Sequence, residues 1–78
     1  MMAKAKKSER KWLSVYEQVP AIDQPVWFVT MTSDVRFRDQ ELEGKYNGEF
    51  GSTGVHLFRH HTGGGRYFVC RGESWAVV

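Results

Sequence analysis

In this 78-residue chain His56, His60, His61 and Cys70 are the side chains that first invite a metal or nucleophile reading. On a strand His56 and His60 point to one face, but at about 3.3 Å per residue they stand roughly 13 Å apart, too far to share a tetrahedral ion. His60 and His61 point to opposite faces. A nucleophilic set drawn from Cys70, His56 and Asp34 has no spacing that makes the three converge, and its thiolate would need an electropositive, partly open setting. The glutamates within residues 42–50 fall on a wet strand face, and a core this small has little room to drive the pKa values of two carboxylates apart. The pattern argues against an enzyme, and no cofactor or metal is expected.

Binding chemistry is better supplied. Gly63, Gly64 and Gly65 run into Arg66. Exposed N–H groups of such a loop form an anion nest, and a guanidinium beside it clamps phosphate or carboxylate in a bidentate fork. The run lacks the Lys-Ser/Thr and the following helix of a nucleotide-binding loop, so a flexible hairpin tip is the preferred reading. His56, Phe58, His60, Tyr67 and Arg71 would share one face of the hairpin built on that loop, with Arg36 and Arg38 extending the patch if their strand packs nearby. Rings interleaved with cations stack nucleotides and also anchor protein partners. The same residues could instead cover a second small core.

These groups need elements to hold them. Ser14 and Glu17 stand three apart, as an N-cap and its reciprocal partner do, so residues 15–18 read as one capped helical turn stopped by Pro20. Residues 26–32 are β-branched and aromatic on both alternating faces, which predicts a central strand; residues 35–38 alternate apolar with basic and would complete a hairpin with it. In residues 42–50, Leu42, Gly44, Tyr46, Gly48 and Phe50 alternate with Glu43, Lys45, Asn47 and Glu49, the mark of an antiparallel strand with one wet face. Its glycines signal a bulge or a close backbone approach, and a continuous strand is preferred to a turn at Asn47-Gly48. Residues 55–60 and 66–71 form the glycine-looped hairpin. With Gly63 and Gly64 as the loop, Phe58 lies opposite Val69 and His60 opposite Tyr67; a three-glycine loop would shift this register and regroup the faces. Residues 72–74 would turn the chain into a last short strand, 75–78. The expected fold is mainly β: a small antiparallel meander or partly open barrel of five to six strands, with one short N-terminal helical turn.

Charge divides the chain. Residues 1–11 hold five basic side chains against one acidic, the remainder six against eight. The first segment reads as a disordered basic tail and residues 12–78 as a single β-rich domain. A mildly acidic body is a poor match for double-stranded nucleic acid. One cysteine builds no disulfide framework, and no apolar run nears the roughly 20 residues a membrane span needs, so a cytoplasmic, membrane-free protein is expected.

Trp12, Leu13, Ser14, Val15, Glu17, Val19 and Pro20 resemble the opening phrase of a family of small tailed-phage and prophage proteins, W-[IL]-S-V-x-E-x-[LV]-P. Val26 to Val29 resemble its apolar strand, Gly44 to Phe50 its glycine-aromatic strand, and Trp75 its closing tryptophan; the proline-rich tail usual in the family does not follow. The resemblance implies no catalytic residues. It implies a small accessory protein that works in the host bacterial cytoplasm by binding a host factor, plausibly a defence component, and inhibiting it stoichiometrically. Two alternatives stay open: an oligomeric sink for a nucleotide-derived signal held by Arg66, the glycine loop and Tyr67, and a single-stranded nucleic-acid binder. A homo-oligomer fits the sink, because 78 residues alone rarely enclose a nucleotide pocket.

Overall fold

The computed structural model describes residues 10–78, and they form an all-β body. Five strands follow in chain order: β1 (Leu13–Ser14), β2 (Pro25–Thr30), β3 (Glu41–Glu49), β4 (His56–Gly63) and β5 (Arg66–Val77). All pairings are antiparallel. β2 pairs β3, β3 pairs β4, and β5 pairs both β4 and β2, so the sheet closes on itself. Of the two forms expected, a meander or a partly open barrel, the chain takes a barrel of five strands, and the twelve-residue β5 closes it.

Its core follows the alternation. Val26, Phe28 and Thr30 point inward from β2, Tyr46 from β3, Phe58 from β4, and Cys70 and Trp75 from β5. Phe28 and Phe58 stack with centroids 4.6 Å apart and planes 9° from parallel, and Tyr46 meets Phe58 edge-on at 5.3 Å. Large rings supply most of the buried area that a chain of this length can gather.

Gly44 answers the close-approach reading. A Cβ there would lie 2.0 Å from the Arg59 carbonyl oxygen and 3.0 Å from the Phe28 ring, so only glycine lets β4 cross this point of β3. The strand is continuous, as its alternation implied, and the β3–β4 ladder slips by a residue between Tyr46 and Gly48.

Two local expectations are corrected. Residues 35–38 form no strand; residues 31–40 are a loop that runs along the edge of β5. Met31 N–H donates to the Arg71 carbonyl at 3.0 Å, Arg71 N–H donates to Asp34 at 3.3 Å, and the Arg36 guanidinium donates to the Val69 carbonyl. The loop thus satisfies edge groups that β2 is too short to reach. Residues 72–74 make no turn, because the chain runs straight through them in β5 with only a ladder irregularity opposite Val29 and Thr30. The N-terminal phrase is a two-residue strand followed by the single capped turn expected over residues 15–18, and no helical segment beyond it occurs among the described residues. Ser14 Oγ accepts from Tyr16 N–H at 3.2 Å, and the Ser14 carbonyl accepts from Gln18 N–H at 2.9 Å. Val15 drops into the core, and the Trp75 indole N–H donates to the Gln18 carbonyl at 2.8 Å, which docks the turn on the barrel.

Residues 1–9 of the expected tail lie outside the described residues. Arg10 belongs to the body: its guanidinium lies 3.9 Å over the Trp27 ring and pairs with Glu41 at 2.8 Å.

Asp34 is 4% exposed and is the carboxylate on which the loop turns. Burial by itself would raise its pKa, but N–H groups of Arg36, Arg71 and Phe37 and the Arg36 guanidinium outweigh that and hold it below the usual carboxylate range. A depressed folded pKa contributes stability above the unfolded value of about 3.9 that is lost as pH falls through the folded value. Chemical denaturation between pH 6 and pH 2 should show stability declining below about pH 4, and Asp34→Asn should flatten that decline while lowering the neutral-pH plateau by about 1–3 kcal/mol. Gly44→Ala should cost about 3 kcal/mol or more, because backbone cannot yield to the new methyl. Gly65→Ala, open around its Cβ and strained only by a φ of 77°, should cost about 1–2 kcal/mol in the same denaturation assay.

Candidate binding face on the hairpin

The β4–β5 hairpin turns at Gly64-Gly65, whose φ values of 61° and 77° are the two positive central angles that a tight type I′ turn needs. Gly63 therefore pairs with Arg66 at the head of the ladder. An irregularity between His61 and Gly63 then sets the register: Leu57 opposite Arg71, Phe58 opposite Cys70, Arg59 opposite Val69, His60 opposite Phe68 and His61 opposite Tyr67. This is one residue away from the pairing expected with Gly63-Gly64 as the loop.

That single step exchanges every β4 member of the expected face. His56 and Phe58 are buried, so neither belongs to an outward surface. The Tyr46 hydroxyl and His56 Nδ1 share a hydrogen bond of 2.7 Å inside the barrel, and burial, then the nearby Glu49 charge, raise the Tyr46 pKa. His60 turns to the barrel mouth, where its Nδ1–H donates to the Glu43 carbonyl at 3.0 Å and its ring meets Phe37 edge-on at 5.6 Å. Tyr67 and Arg71 do face outward, on the other side of the hairpin from those three.

The outward face consists of three cross-strand pairs, Leu57–Arg71, Arg59–Val69 and His61–Tyr67. Each row sets one apolar or aromatic side chain beside one cation or imidazole, and rows on one face of a strand are about 6.8 Å apart. The Tyr67 ring is half-exposed, lies 5.5 Å from His61, and has the Arg59 guanidinium 6.0 Å from its centroid. Arg59 pairs with Asp23, which anchors the middle row to the loop before β2. Below the first row, Phe50, Thr53, Val55, Leu57 and Arg71 line a cleft of about 480 Å³.

The remaining residues singled out by the sequence divide between the two sides. Gly63, Gly64, Gly65 and Arg66 are exposed at the hairpin tip, above the third row. Arg36 packs on the rings at the mouth, 5.5 Å from the Phe68 centroid and 6.0 Å from that of Phe37, and it lines a small cleft with Arg71 that continues the cationic surface around the edge of β5. Arg38 is exposed on the same loop. Leu57, Arg59, His61, Phe50 and Val55 were missed. The signal that could have found them was the three-glycine alternative: a loop of residues 63–65 gives the same pairing as the observed turn plus the irregularity between His61 and Gly63, and it sets odd-numbered β4 positions beside Tyr67, Val69 and Arg71.

Cys70 lies at the centre of the barrel with no exposed surface. Desolvation, then the Asp34 charge, push its thiol up to about 11, against a smaller opposing pull from Arg36. Such a thiol is a packing group at neutral pH. Among the described residues no three His, Cys, Asp or Glu side chains gather as a metal site would require, and no helix is long and apolar enough to cross a membrane. No family model, curated protein or solved structure matches the chain. Native protein at pH 8 should resist alkylation of Cys70 by iodoacetamide and react completely once denatured, as intact-mass measurement would read.

Proposed function

We propose that this chain is a non-enzymatic binding protein of tailed-phage or prophage type that docks on a host protein in the bacterial cytoplasm and blocks it stoichiometrically. The outward hairpin face supports the reading, with its alternating rows of Leu57–Arg71, Arg59–Val69 and His61–Tyr67. Tyr and Arg are enriched among the residues that dominate protein interfaces, because each joins a broad apolar surface to directional hydrogen bonding. The rows stand on paired strands of a closed sheet, so little ordering is needed when a partner arrives.

A base-stacking role has less support. Stacking platforms present ring faces that successive bases can cover. Here Tyr67 is flanked by His61 and Arg59, Phe68 lies under Arg36 and against Phe37, and the two rings stand on opposite sides of β5. A partner that meets ring edges and cations together fits this arrangement better, and an acidic protein surface has that character.

Tagged protein mixed with host lysate at micromolar concentration should retain one partner in fixed stoichiometry, and the purified pair should bind in calorimetry. Tyr67→Ala with His61→Ala should weaken that binding by about tenfold or more. Val78→Ser, an exposed change past the end of β5 opposite the hairpin, should leave it intact. Absence of any partner, or equal binding by all variants, overturns the reading; retention of an oligonucleotide or a cyclic nucleotide in its place would transfer the face to one of the other two classes.

A further inference from the structure

The cleft below the first row combines four features. Its floor is apolar, formed by Phe50, Val55 and Leu57, and Phe50 is 64% exposed despite its size. The turn that carries Phe50 is tightly knitted. Phe50 N–H donates to the Val55 carbonyl at 2.8 Å, and Thr53 Oγ1 and Thr53 N–H donate to the Phe50 carbonyl at 2.6 and 3.2 Å. Val55 N–H donates to Thr53 Oγ1 at 3.2 Å. The ring is thus held out toward solvent by a structured turn, an arrangement that keeps an apolar surface ready for a partner.

The third feature is electrostatic. Glu49, the carboxylate nearest the turn in sequence, is drawn to the Gly54 N–H at 2.8 Å. The three ion pairs among the described residues join Arg10 to Glu41, Arg36 to Asp34 and Arg59 to Asp23. The Arg71 guanidinium therefore stands at the rim of an apolar cleft without a carboxylate of its own. Fourth, the cleft is continuous with the hairpin rows, since Leu57 and Arg71 belong to both.

We infer that this surface takes an extended segment of the partner protein in which an apolar side chain is followed two residues later by a carboxylate and four residues later by a second apolar side chain. In an extended chain every second side chain faces the same way at about 6.8 Å intervals, which is also the spacing of the hairpin rows. The first apolar side chain covers Phe50 and Leu57 in the cleft, the carboxylate meets Arg71 in the first row, and the second apolar side chain reaches Val69 and Tyr67. The inference rests on the proposed protein-docking function and names the chemistry that the docking face selects.

The test uses the whole protein and a fluorescein-labelled peptide, Ser-Thr-Leu-Thr-Glu-Thr-Val-Thr-Ser, with a version carrying Lys for Glu and another carrying Ala for both Leu and Val. The glutamate peptide should bind with a Kd below about 1 mM and shift the backbone amides of Phe50, Val55, Leu57, Val69 and Arg71 in NMR spectra. Both altered peptides should bind about tenfold more weakly, a difference of about 1.4 kcal/mol. Phe50→Ser and Arg71→Ala should each produce a similar loss, and the thermal midpoint of each variant identifies one that fails to fold. Equal affinity for the glutamate and lysine peptides, shifts confined to another face, or no shifts at all overturn the inference. If the host partner is retained and lost with Tyr67→Ala but not with Phe50→Ser or Arg71→Ala, the docking function stands and this motif falls. If the peptide binds the cleft while no host partner is found, the blocking function falls.

Discussion

The ring of Phe58 lies flat on that of Phe28, 4.6 Å away at the centre of the barrel, and this contact decides which way every residue of β4 faces. Side chains alternate along a strand, so once Phe58 is inside, His56 is inside with it and Leu57, Arg59 and His61 must be outside. The same stack makes Gly44 necessary, because β4 can carry Phe58 into the barrel only by passing within a methyl group's space of β3 at Arg59. Core packing and the composition of the outer face are thus one constraint read from two sides.

Closure places a second demand on the chain. β5 extends from the hairpin tip to the far end of the barrel, and β2 pairs only its C-terminal half. The rest of that edge is occupied by residues 31–40, where Asp34, Arg36 and Met31 bond to the backbone of Val69 and Arg71. A loop performs the work of a strand here without strand dihedrals, at the cost of burying a carboxylate that backbone N–H groups and a guanidinium must satisfy. It also hides an edge that would otherwise invite pairing with another chain.

These two arrangements leave the outward hairpin face as a rigid, mixed surface backed by the core. Its cations are unequal in what they can do. Arg59 and Arg36 are engaged, one with Asp23 and one with Asp34 and the Val69 carbonyl, so they shape the surface more than they attract a partner. Arg71 and Arg66 stand nearer to solvent, one at each end of the rows. That pattern is polar, with an apolar cleft at the Arg71 end and a glycine tip at the Arg66 end, and it would give the proposed extended ligand one direction along the hairpin.

The all-β architecture was legible in the residues themselves. Leu42 to Glu49 alternate so regularly that only a strand accommodates them, Gly44 marks a close approach, and the glycine run marks a hairpin. Tyr67, Val69 and Arg71 were correctly grouped as one side of that hairpin, and Arg66 and the glycines were placed at its tip. What alternation cannot supply is phase between two strands. Three consecutive glycines allow a loop of two residues or of three, and a one-residue bulge beside a two-residue turn shifts the ladder as a three-residue loop would, so the loop itself does not decide whether Phe58 or Leu57 faces inward. That choice was decided by Phe28, thirty residues away, because burying one aromatic ring against another outweighs any preference within the loop. The strand content of this protein is therefore a property of its sequence, and the identity of its outward face a property of its core.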